Sequence, residues 1–142
     1  MCSVHDVAAY ILKNAGQMTT MKLQKLVYYS QAWSLVWDEK PLFGSQIQAW
    51  ANGPVVPALY ELHRGRFSIS SWPDGAAEKL PQYAMDTIDA VLEGYGEMTS
   101  QQLSDLTHSE EPWRNARKGL VPGDRGDRAI SLADMAEYYG SL

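Results

Sequence analysis

Cysteine occurs once in the 142 residues, at Cys2 beside the first methionine. One thiol permits no internal disulfide and no cysteine-rich zinc site. Its terminal place reads as a frayed end, not a nucleophile. Histidine is scarce too: His5, His63 and His108 are scattered, none at metal spacing from another ligand type. His108, Glu110 and Glu111 carry ligand chemistry, but near-adjacent side chains rarely converge on one ion. No G-x-S-x-G elbow and no phosphate-cradling glycine loop is present. No apolar run reaches bilayer length, and the N-terminus lacks a charged-then-apolar export pattern. The expected setting is the cytoplasm, with no membrane and no cofactor. Basic residues are the minority, 12 against 17 acidic ones for a net charge of −5. That balance argues against unspecific binding along a phosphate backbone, so a nucleic-acid partner is not expected. Repeats and low-complexity tracts are missing as well.

Phenylalanine is nearly absent, with two against five tryptophans and eight tyrosines. Trp and Tyr carry a polar atom, so they suit half-buried places and interfaces as well as cores. The length fits one domain, residues 1–142, around one core.

The longest stretch free of Gly and Pro is Thr20–Asp38. Wound as a helix, it puts Leu23, Leu26, Val27, Ser30, Trp33, Ser34 and Trp37 on one face. Tyr28, Ala32, Leu35 and Val36 fall opposite. Gln24, Gln31 and Asp38 form a polar stripe, with Lys22, Lys25 and Tyr29 as a second, weaker wet edge. A helix apolar on two faces is surrounded by the rest of its domain. It is therefore the expected central post, capped by Thr20, with Trp33 and Trp37 in the core.

Around it the punctuation is regular. Ser3 with Asp6, Thr99 with Gln102, and Ser131 with Asp134 match capping boxes. They open helices whose inner sides are Val4, Val7, Ala8, Ile11 and Leu12; Leu103 and Leu106; and Leu132, Met135, Ala136 and Tyr139. Pro57 suits a first helical turn that ends at Gly65. Ile88 to Tyr95 marks a further helix, and Ser109 is placed to cap a short one through Trp113. Ile47–Ala51 alternates as a strand does and is expected to pair with Phe67–Ser70. Met18–Thr19 and Glu78–Gln82 read as connections, and Pro122–Arg128 as an exposed charged loop. The sum is a mainly α fold: a compact helical bundle around a central helix, with a minor two-stranded β element.

Two stretches are more specified than a connection needs: Trp50-Ala51-Asn52-Gly53-Pro54-Val55-Val56-Pro57 and Thr107-His108-Ser109-Glu110-Glu111-Pro112-Trp113. Both have a bland reading as corners that lock loops onto the core. The functional reading is a polar-rimmed groove walled by Trp50 and Trp113. An enzymatic site there is the weaker alternative, because no catalytic spacing accompanies it.

The blocks KLQKLVYYSQAW (22–33), PLF (41–43), QAWANGPVVPALYEL (48–62) and THSEEPW (107–113), in that order, resemble the Panacea domain of SocA-like antitoxins, also described as phage-associated proteins. The resemblance implies a small helical antitoxin of a toxin–antitoxin system that neutralises a cognate toxin by direct protein–protein binding and is not an enzyme. It also implies a toxin encoded by an adjacent gene. A second mode within the family is adaptor action, delivering the toxin to a ClpXP-type protease through its ClpX unfoldase. The expected contact residues are Trp50, Asn52, Gly53, Pro54, His108, Glu110 and Trp113, with Tyr28 and Gln31 behind them. Gly53 and Pro54 are expected to shape the surface.

Overall fold

Ser3 Oγ accepts the His5 N–H and opens α1 (Val4–Ala15). In the computed structural model, which describes residues 1–142, the apolar side expected for α1 is buried throughout. Asp6 does not close a capping box. Its carboxylate accepts the Ala76 N–H at 2.8 Å and ties the 73–76 turn to the helix start. Gly75 makes that approach feasible, since a Cβ there would lie 1.9 Å from the His5 carbonyl oxygen. Cys2 is not frayed: its N–H donates to Leu42 O at 2.9 Å.

Met18–Thr19 is a strand, β1, instead of a connection. Thr19, not Thr20, caps the next helix by accepting the Lys22 N–H at 3.1 Å. Thr20 Oγ1 donates to Arg66 O. That helix, α2 (Thr20–Trp37), is the central post, as its two apolar faces require. It packs against α1, α4 (Gln82–Tyr95), α5 (Ser100–His108) and α7 (Leu132–Gly140).

Burial of α2 goes further than its pattern indicates. Gln24, Gln31, Lys25 and Tyr29, expected on wet edges, are sealed. The two glutamines are satisfied by chain that would otherwise have unpaired backbone groups. Gln31 Oε1 accepts from the N–H groups of Leu42 and Phe43, and its amide donates to Phe43 O. Gln24 accepts from Val56 N and donates to Val56 O, with His63 Nε2 at 2.9 Å. Trp37, expected inside, is half exposed in the last turn and stacks on Trp33 at 4.9 Å. Ser30 and Ser34 are buried and donate to the carbonyls of Leu26 and Lys40.

The β structure is two small sheets, and the pairing differs from expectation. β2 (Gln48–Trp50) folds back on β3 (Gly53–Val55) through Ala51–Asn52, with Trp50 opposite Gly53. Phe67–Ser70 contributes β4 (Ser68–Ile69), which pairs with β1. The tight turn at Ala51-Asn52 explains the outcome: a two-residue loop lets a strand find its own continuation before any distant partner. Pro54 lies opposite Ala49, whose N–H turns outward to Arg128 O at 2.9 Å.

α3 (Pro57–His63) starts on its proline. A single 3₁₀ turn at Ala77–Lys79 precedes α4 within the segment read as loop. The capping box of α5 is complete in both directions. α6 (Glu111–Ala116) has no side-chain cap, because Ser109 Oγ donates back to Leu106 O. In α7, Ser131 accepts the Asp134 N–H; Met135 and Tyr139 are buried, but Leu132 faces out.

Candidate partner-binding face

The two over-specified stretches meet. Trp113 Nε1 donates to Trp50 O at 2.8 Å, and Ser104 Oγ donates to Asn52 O at 2.6 Å. The His108 ring stacks on Trp113 at 4.0 Å. Together they fix the β2–β3 turn against α5 and α6. Gly53 is needed at this contact for two reasons. Its φ of +125° lies where side chains are strained, and a Cβ would come within 2.6 Å of Lys25 Cε.

Lys25 therefore runs beneath the turn. Its residue exposure is 1%, and Lys25 Nζ has no hydrogen-bond partner within the protein. Burial pushes its amine down to about 7. His108 Nε2 is also buried and unpaired. Burial, and then the charge of Lys25, hold His108 below the ordinary histidine range.

Both line a groove of about 490 Å³ between the start of α2, the hairpin turn and one face of α5. α5 contributes Ser100, Gln101, Ser104, Asp105 and His108, which recur on one side of a helix. Met21 is the apolar residue of the lining, and Asn52 closes the far rim. Met21 and Ser100 also line a second groove of about 330 Å³, with Tyr60, Arg64, Arg66 and Phe67. The two grooves thus form one continuous face. Phe67 is 82% exposed on it, and Leu62, also exposed, lies on the adjoining α3.

The expected contact residues divide by burial. Asn52 is exposed and His108 half-buried in the groove lining; Trp113, also half-buried, stacks behind His108, and neither it nor Trp50 walls the groove as expected. Trp50, Gly53 and Pro54 are buried and set its shape. The Trp50 ring is covered by the Arg125 guanidinium, 3.7 Å from its centroid.

Tyr28, Gln31 and Glu110 do not reach solvent. Glu110 accepts from Tyr29 OH at 2.6 Å and Tyr139 OH at 2.8 Å, and Tyr28 OH lies 3.0 Å from Tyr139 OH. Burial raises the Glu110 carboxyl despite these two donors. It raises the tyrosines as well. This network holds α2, α6 and α7 together from inside. With Glu110 committed to it, His108, Glu110 and Glu111 do not converge, and no cluster of His, Cys, Asp and Glu is arranged for a metal ion.

Two residues of consequence escape a reading by pattern. Lys25 was visible only as a lysine flanked by Tyr28, Tyr29 and Ala32 on a helix surrounded on all sides. Arg117 offers no signal. It is buried, and its guanidinium donates to the carbonyls of Ala49, Val121, Pro122 and Arg125, pinning the 117–128 loop against β2.

No helix is long and apolar enough to cross a membrane. The chain is mainly helical, with a polar groove and an exposed aromatic beside it. The family described as "Antitoxin SocA-like, Panacea domain" matches residues 23–114, most of the chain, and the protein belongs to that family. The matched span holds the hairpin, α5 and Lys25. No curated protein and no solved structure matches the chain.

Proposed function

We propose that this protein is the antitoxin of a toxin–antitoxin pair, acts in the cytoplasm, and neutralises its toxin by binding it directly. The toxin is the product of an adjacent gene, and no chemical step is catalysed. The observation that carries the reading is the junction of Trp50–Pro54 with His108–Trp113 around one face inside the family-matched span. A stable interface takes about 800 Å² from each partner. The joined grooves, with Phe67 and Leu62 beside them, supply apolar anchors inside a polar rim, the usual anatomy of such surfaces. Asn52, His108 and Trp113 make contact, and Phe67 adds an anchor outside the originally expected set. Gly53, Pro54 and Trp50 hold the shape, while Tyr28, Gln31 and Glu110 brace it from behind.

Co-expression with the neighbouring gene's product tests this. Growth is expected to be rescued and the two proteins to co-purify at fixed stoichiometry. Phe67→Asp is expected to abolish both while leaving the fold intact, since Phe67 contributes little to the core. A toxic neighbour that is neither bound nor neutralised overturns the reading. Toxin half-life, measured with and without ClpX, separates inhibition from delivery: shortening that requires ClpX would replace direct inhibition with adaptor action.

A further inference from the structure

From the groove under the hairpin turn we infer a binding site for an oxyanion, a carboxylate or phosphate group held between Lys25 and His108. Two independent features meet there. Lys25 is 1% exposed, forms part of the groove lining, and has a donor-only amine with no partner in the protein. His108 Nε2, in the same lining, is equally unsatisfied.

A buried cation without a partner is unfavourable, and a buried amine without one wastes its donors. One oxyanion cures both defects, because it accepts from the amine and supplies the missing countercharge. The competing acid is Asp105 on the rim. It is exposed and one of its oxygens already accepts from Gln101, so it opposes an anion from the rim without pairing with Lys25. The remaining charged neighbours are His63, which packs from α3 and is itself lowered by burial, and Arg117, whose charge adds to the positive potential at His108.

Occupancy of the site is coupled to protons. In the unliganded protein burial shifts both Lys25 and His108 toward their neutral forms. An anion reverses that preference, so binding takes up protons and tightens as pH falls. The site stands apart from the antitoxin reading, since it is measured on this chain alone. The same chemistry can arrive as a free phosphate-bearing molecule or as a side-chain carboxylate of a bound protein.

The test follows the Lys25 and His108 side-chain resonances of the full chain during titration with inorganic phosphate, sodium acetate, ATP or a triglutamate peptide. Saturable shifts at both residues with phosphate or acetate are expected, at millimolar strength. Affinity at about pH 6 is expected to exceed that at about pH 8 by tenfold or so. ATP outbinding phosphate would point to a free nucleotide, and triglutamate outbinding acetate to a protein-borne carboxylate; either supports the site. Lys25→Met is expected to lose at least about tenfold in affinity, one ionic hydrogen bond's worth. Asp105→Asn is expected to bind more tightly, and this variant keeps the test decisive if Lys25→Met does not fold. Absence of saturable shifts at Lys25 and His108 with all four probes overturns the inference, as does binding that Lys25→Met and Asp105→Asn leave unchanged.

Discussion

Lys25 is the residue on which most of the local design turns. Its amine is pushed from the ordinary 10.5 to about 7 by burial. Below about pH 7 the folded chain carries the whole penalty of a buried ammonium. Between there and the ordinary lysine value the unfolded chain binds the extra proton, so stability rises with pH across that window. Lys25→Met is expected to flatten the rise and to stabilise the protein at neutral pH by a few kcal/mol, because a linear apolar chain replaces an unpaired buried cation. Urea midpoints at several pH values check both effects. Above about pH 10 the raised hydroxyls of Tyr28, Tyr29 and Tyr139 act in the opposite sense, since the unfolded chain then loses protons first. Gly53 completes the pair. Gly53→Ala combines a left-handed backbone with a contact on Lys25 Cε and is expected to cost about 1–3 kcal/mol. The loss should be smaller in the Lys25→Ala background, which a double-mutant cycle reads directly.

The helices share one hydrophobic core, and the irregular segments are tied to it by polar side chains that take backbone groups a strand would otherwise pair. Gln31 takes three backbone groups of the 42–43 segment, and Gln24 takes two of Val56. Gln31→Leu keeps the volume and leaves those groups unpaired, an expected loss of about 2–4 kcal/mol in chemical denaturation. Arg117 plays the same part for the loop before α7. Arg117→Met is expected to speed amide exchange across residues 121–130, where Ile130 N–H and Arg128 O otherwise extend the edge of β2, while leaving the α1–α2 contact protected. α2 itself was legible in advance, because its two apolar faces leave no other place for it. The identity of its buried polar residues was not. Periodicity sorts residues by hydrophobicity and cannot register that a glutamine is matched by a backbone segment 11 residues away.

At the scale of the whole molecule, a net charge of −5 coexists with a face whose exposed charges are Arg64 and Arg66 at one end and Asp105 at the other. Encounter with a partner is therefore governed by local sign, not by the total. A toxin that engages this face through acidic groups should associate more slowly as salt rises, with a smaller change in dissociation rate. Stopped-flow association at low and physiological ionic strength measures this, and a rate indifferent to salt would assign the contact to Phe67 and Leu62 instead.

Composition and spacing were sufficient for the helical class, the central post and the complete cap of α5, because each depends on residues close in sequence, and the ordered blocks carried the resemblance to the family. The tertiary structure decided what those residues became. It joined Asn52 to Ser104 across the groove, took Tyr28, Gln31 and Glu110 inside, paired β1 with β4, and buried Lys25 without a countercharge. Contacts of that kind depend on which distant atoms arrive at hydrogen-bond distance, and nothing in the local pattern carries that information.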